Sequence, residues 1–161
     1  IISLMQKKEL KSTNLYYGDF NMPKGFEIDP KPLIMGTFEQ EYLEKRFPYS
    51  IELDKVDTYI RDYSIAKHDL SLEGKETWGN FYLPQECSKL KNHEYNFTVL
   101  YGTLIQENSC SITIFYEQDK EWTIPLITNK FVMFSSDKTY RVNSNKSNKI
   151  NFIQTMIYEL K

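Results

Sequence analysis

Alanine is almost missing: Ala66 is the only one among 161 residues. The best helix former is therefore in short supply, and an all-helical bundle is a poor fit to this composition. Cysteine is nearly as scarce. Cys87 and Cys110 are the only two, too few for a disulfide framework, and read as buried thiols of a reducing compartment. No apolar run approaches the roughly 20 residues a membrane-crossing helix requires, and no secretory pattern opens the chain. A cytoplasmic location without a membrane partner is the expectation. Charge of one sign is lacking too: 20 Lys and Arg stand against 22 Asp and Glu, a net −2. Without a basic excess there is little to neutralise a phosphate backbone, so nucleic acid is not an expected partner. Internal repeats and low-complexity tracts are also missing. The sequons Asn96-Phe97-Thr98 and Asn145-Lys146-Ser147 are read as chance matches for the same want of a secretory signal.

Aromatic residues fill the gap, with 12 Tyr, 10 Phe and 2 Trp. Together with the β-branched residues they point to a mostly β protein. Early in the chain, Leu15-Tyr16-Tyr17 and Leu33-Ile34-Met35 read as short strands set apart by proline and glycine turns. Thr37-Phe38-Glu39-Gln40 has the pattern of a capping box and predicts one short helix over 38–45, stopped by Pro48. Residues 51–65 are open to two readings, and their β-branched and tyrosine content favours strands. A soft boundary falls at Gly74-Lys75-Glu76.

Beyond it the pattern sharpens. Residues 78–83 form a strand ended by Pro84. Phe97, Val99, Tyr101 and Ile105 alternate on one face of the next, and Ile112, Ile114 and Tyr116 on one face of another. Segments 122–126, 131–134, 140–143 and 149–158 complete the series. Some seven short strands at close intervals predict a sandwich, barrel or jelly roll.

The succession Phe131-Val132-Met133-Phe134-Ser135-Ser136, Tyr140-Arg141-Val142 and Lys149-Ile150-Asn151-Phe152 resembles the end of the double-stranded β-helix of 2-oxoglutarate/Fe(II)-dependent oxygenases. The resemblance spans about residues 78–158. It implies a jelly-roll, cupin-like core over 77–161 in a single domain, with residues 1–76 packed as N-terminal elements against the outside of the barrel. Such oxygenases hold Fe(II) with two imidazoles and a carboxylate on one face and leave open positions for the keto acid and O2. Carried over, the metal positions fall on His93, Tyr95 and Tyr140, so that two of the three usual ligands are replaced. Lys149 takes the place of the cation that anchors the distal carboxylate of 2-oxoglutarate. Asn151, of the same parity, takes the place of its hydroxyl partner, and Tyr101 is a further candidate donor.

Fe(II) and 2-oxoglutarate are the implied cofactors if the family's chemistry persists. With the metal set altered, the resemblance points to a divergent member that binds a small anionic ligand, such as a carboxylate, in the barrel. The alternative is a structural jelly roll, a virion or assembly component without catalysis. Each site residue also has an ordinary reading: His93 as a solvated loop residue, Tyr101 and Tyr140 as core, Lys149 as a surface lysine. Arg141, opposite in parity to Tyr140, is expected to point outward, toward a neighbour such as Asp137.

Overall fold

A computed structural model describes the backbone of residues 7–9, 15–17, 19–39 and 51–161, and side chains within 21–38 and 51–161. The strands are β1 (Lys7–Glu9), β2 (Leu15–Tyr17), β3 (Asp19–Asn21), β4 (Leu72–Tyr82), β5 (Phe97–Leu104), β6 (Ser111–Glu117), β7 (Lys120–Pro125), β8 (Lys130–Ser135), β9 (Thr139–Val142) and β10 (Asn151–Leu160). Two helices, α1 (Lys31–Glu39) and α2 (Ile51–His68), precede β4. Strands β1 and β2 form a small antiparallel pair. The remainder form a five-stranded sheet ordered β3-β8-β5-β10-β4 and a three-stranded sheet ordered β7-β6-β9.

Residues 85–91 run beside β9 as a frayed fourth strand of the smaller sheet. Ser88 N donates to Val142 O at 2.9 Å, and Lys91 and Tyr140 exchange both backbone hydrogen bonds at 2.9 Å. With that segment included, the chain from β4 onward passes back and forth between two facing sheets, as the jelly-roll expectation required. The fold is mostly β, and the boundary anticipated at 74–76 lies inside β4, which runs through it with a bulge at Lys75 where the pairing to β10 shifts register.

The larger sheet is buried on both faces. Its outer face packs Phe97, Val99, Phe131, Met133 and Met156 against Leu33 of α1 and Leu53, Val56 and Ile60 of α2. Its inner face packs Leu100, Val132, Phe134 and Ile153 against Ile112, Ile114, Tyr140 and Val142 of the smaller sheet. Strands covered on both sides lose the alternation that marks a half-exposed strand, which explains the apolar runs of β8 and β10.

The N-terminal region departs from the sequence reading. Leu33-Ile34-Met35 is helical, inside α1 rather than a strand. Asp29 Oδ1 accepts from Lys31 N at 3.1 Å, and Pro32 sits in the first turn, where a missing N–H costs nothing. Of the helix expected over 38–45, Phe38 and Glu39 lie at the end of α1, and the rest falls outside the described residues. Residues 51–65 form a helix, not strands. Their buried positions Leu53, Val56, Ile60 and Ser64 recur at three- and four-residue spacing, which only a helix can lay against one surface. Glu52 and Asp54 at its start, and Lys67 and His68 at its end, suit the helix dipole. Asp69 then turns left-handed (φ 55°), and Leu70 N returns to Ser64 O at 3.1 Å, closing the helix. Tertiary burial outweighed the β propensity of individual residues.

Two smaller corrections have local causes. The pairing of β10 with β5 shifts register between Phe152 and Ile153, opposite Gly102–Leu104. This bulge turns Ile105 from the helix-facing side to the cluster between the sheets. Gly102 is obligatory there, because a Cβ would lie 2.2 Å from the carbonyl oxygen of Ile127. Cys110 is buried as expected, whereas Cys87 is exposed on the frayed strand, and both are free thiols.

Candidate functional site

The mouth between the sheets is built from the frayed strand, β4 and β9. Tyr140 on β9 points inward and is 1 % exposed. Its direct partner across the backbone pair is Lys91, and side chains of directly opposed residues leave an antiparallel pair on the same face. Lys91 therefore also points between the sheets. His93, two residues on, meets the same face: its Nε2 and the Tyr140 hydroxyl share a hydrogen bond of 2.8 Å. Trp78 from β4 closes the group edge-on, its ring centroid 5.4 Å from that of His93. Behind them the inner face carries two uncharged polar pairs. Thr155 Oγ1 donates to Asn80 Oδ1 at 3.0 Å, and the Thr98 and Ser136 hydroxyls are bonded at 2.8 Å.

The electrostatics of this mouth are set by burial. Desolvation lowers the His93 imidazole from 6.5 to about 4, and repulsion from Lys91 lowers it further in the same direction. Burial pushes the Tyr140 phenol far up, with the nearby Tyr82 adding to the effect. At neutral pH the His93–Tyr140 contact is thus between an uncharged imidazole and an uncharged phenol. Burial likewise lowers the Lys91 ammonium below its ordinary value.

The other predicted residues lie apart from this group. Tyr95 is 42 % exposed in a left-handed turn (φ 70°), with the Lys75 ammonium 5.4 Å from its ring centroid. Lys149 is exposed in the loop before β10, where Asn145 Nδ2 donates to its carbonyl at 2.7 Å. Asn151 is buried, and its side chain pins the β5–β6 loop: Oδ1 accepts from Gln106 N at 2.7 Å and Nδ2 donates to Ser109 Oγ at 2.9 Å. Tyr101 faces the helices, donates to Asn129 Oδ1 at 2.5 Å, and lines a surface cleft of about 320 Å³ with Glu27 and Thr128. Arg141 points outward as expected, although its partners are Asn143 Oδ1 at 3.0 Å and the Phe115 ring, not Asp137.

Comparison with known proteins rests on structure alone, since no family model matches the sequence and no curated protein matches it. A Pseudomonas putida prolyl-4-hydroxylase superposes with a TM-score of 0.62 at 12% identity, over 89% of this chain and 85% of that one. A 2OG-Fe(II) oxygenase family oxidoreductase from Burkholderia pseudomallei gives 0.54 at 11%, over 88% and 84%. The viral collagen prolyl hydroxylase of Paramecium bursaria Chlorella virus-1, solved with 2OG, gives 0.57 at 10%, over 82% and 89%. The chain has the fold of the 2-oxoglutarate/Fe(II) oxygenases.

The oxygenase fold does not by itself bring the oxygenase metal set. Two imidazoles and a carboxylate are the usual donors, and the sequence holds only two histidines. His68 ends α2 on the outer side of the larger sheet, its ring beside Tyr63, so it cannot reach His93. No cluster of three His, Cys, Asp or Glu side chains occurs among the described residues. The residues present at the mouth do not fit ferrous iron.

His93 and Tyr140, expected as metal positions, meet in a hydrogen bond with each other; sequence reasoning passed over Lys91 and the packing of Trp78 on His93. The signal for Lys91 was its spacing of two from His93, which gives both the same parity on an extended segment.

Proposed function

We propose that this protein is an iron-free member of the 2-oxoglutarate/Fe(II) oxygenase-like superfamily and serves as a binding module for a small anionic ligand at the mouth between its two sheets. The observation that carries this reading is the 2.8 Å contact between His93 and Tyr140. In either tautomer that bond occupies Nε2, as a lone pair accepting from the phenol or as an N–H donating to it, and a ligating nitrogen must offer a free lone pair. The anionic preference is supported by Lys91, whose inward-pointing ammonium is the cation at this mouth. Lys149 and Asn151, the anchors expected from the resemblance, are respectively exposed and committed to holding the β5–β6 loop, so the ligand reading passes to a different cation. The free thiols of Cys87 and Cys110 suit a reducing compartment such as the cytoplasm. None of the helices among the described residues is long and apolar enough to cross a membrane.

The test is a titration of the purified protein with Fe(II), or Mn(II) as an air-stable substitute, with and without 2-oxoglutarate. Melting temperature and calorimetry should both stay unchanged by the metal. A metal-dependent rise in melting temperature that disappears in His93→Ala would overturn the iron-free reading.

A further inference from the structure

We infer that the ligand of this mouth is a small monocarboxylate, held by the Lys91 ammonium on the frayed strand against the edge of Trp78. This rests on the reading of the protein as an iron-free anion-binding module, and adds to it the anchoring residue and the charge of the ligand. The placement follows from the backbone. Lys91 and Tyr140 exchange both N–H···O bonds at 2.9 Å, which sends the lysine side chain toward the interior beside a fully buried phenol. Lys91 and His93 are each only partly covered, so a solute can reach them from outside.

The charge balance supplies the second half of the argument. The ion pairs among the described residues are Lys55–Glu52, Arg61–Asp57, Lys75–Glu159 and Lys120–Glu117. Lys91 takes part in none of them. Its pKa is lowered by desolvation with no acidic side chain acting in the opposite sense, and His93 beside it registers the same positive charge as repulsion. A half-buried cation without a counter-charge is costly, and its natural complement is an anion. One ammonium matches one negative charge. With His93 uncharged, a second carboxylate or a phosphate dianion would bring a charge that nothing here offsets. Trp78, partly exposed and packed against His93, adds apolar surface to the same mouth, which favours an acid with an apolar body over a wholly polar anion.

Benzoate is the probe, with acetate, 2-oxoglutarate and inorganic phosphate as comparisons, titrated into the whole chain at neutral pH. Calorimetry and indole fluorescence are the readouts. Benzoate should bind more tightly than 2-oxoglutarate or phosphate and perturb the fluorescence. Lys91→Met should weaken it about tenfold or more, Lys91→Arg should keep it within a few-fold, and Lys149→Met should leave it unchanged. The ligand-free Lys91→Met protein should melt no lower than the parent, because an uncompensated charge has been removed. Lys91→Met binding benzoate as the parent does, or no benzoate binding at all, would overturn the inference. Lys91-dependent binding of phosphate or 2-oxoglutarate in preference to benzoate would overturn the monocarboxylate assignment while leaving the anion-binding module standing. Metal binding that depends on His93 would instead sink the iron-free reading.

Discussion

Protonating His93 should weaken the fold by an amount the structure allows to be worked out. The imidazole titrates at about 4 in the folded protein against 6.5 in an open chain. The unfolded state therefore takes up the proton first as the pH falls. The stability contributed by the neutral ring is complete above about pH 6.5 and is lost progressively down to about pH 4. At about 1.4 kcal/mol per pH unit, that interval sets a ceiling of about 3.4 kcal/mol. The ring is partly open to solvent, so screening reduces the expected loss to about 1–2 kcal/mol. Carboxylates also take up protons in acid, and a variant is needed to subtract them. His93→Gln serves, because its side-chain oxygen can still accept from the Tyr140 hydroxyl while carrying no titratable group. Urea unfolding at pH 7 and pH 4 should show the parent losing about 1–2 kcal/mol more than His93→Gln across that range. Equal losses in the two proteins, or an NMR titration of the His93 ring centred near 6.5, would refute the buried, uncharged His93–Tyr140 contact.

Other positions give shorter tests. Gly79→Ala should cost about 1–3 kcal/mol in chemical denaturation, because a Cβ there lies 2.0 Å from Thr37 Oγ1 and forces α1 off β4. Tyr158→Phe removes the 2.7 Å hydrogen bond to the buried Asp57 carboxylate; about 1.5–3 kcal/mol should be lost, and a loss under about 0.5 kcal/mol would show that Arg61 alone satisfies that carboxylate. Asn145→Ala removes the hydrogen bonds its side chain makes to the Tyr82 and Lys149 carbonyls and to the Ser147 N–H. Hydrogen exchange should then accelerate in residues 145–150 before it does in β10.

How much of this was readable beforehand depended on the kind of signal. The C-terminal strands announced themselves through alternation and closely spaced turns, and β9 and β10 fell almost where those patterns put them. The N-terminal helices did not, because their residues individually favour strands. What made 51–65 helical was the three- and four-residue spacing of the side chains that meet the larger sheet. At the mouth, the 47-residue interval between His93 and Tyr140 was legible, and the two rings do touch. The inward turn of Lys91 was not, because the strand that carries it is too irregular to show a period. For Lys149 the sequence left an anchor and a surface lysine both open, and the loop closed around Asn145, which delays the start of β10 to Asn151, leaves it exposed.

The sequence by itself determined the β-rich class, the near-neutral charge and the number of imidazoles available to any site, since these are fixed by composition and local pattern. Only the tertiary structure decided which residues face each other across the mouth. Facing is a property of register and parity between strands far apart in the chain, and a single bulge or a frayed edge is enough to reverse it.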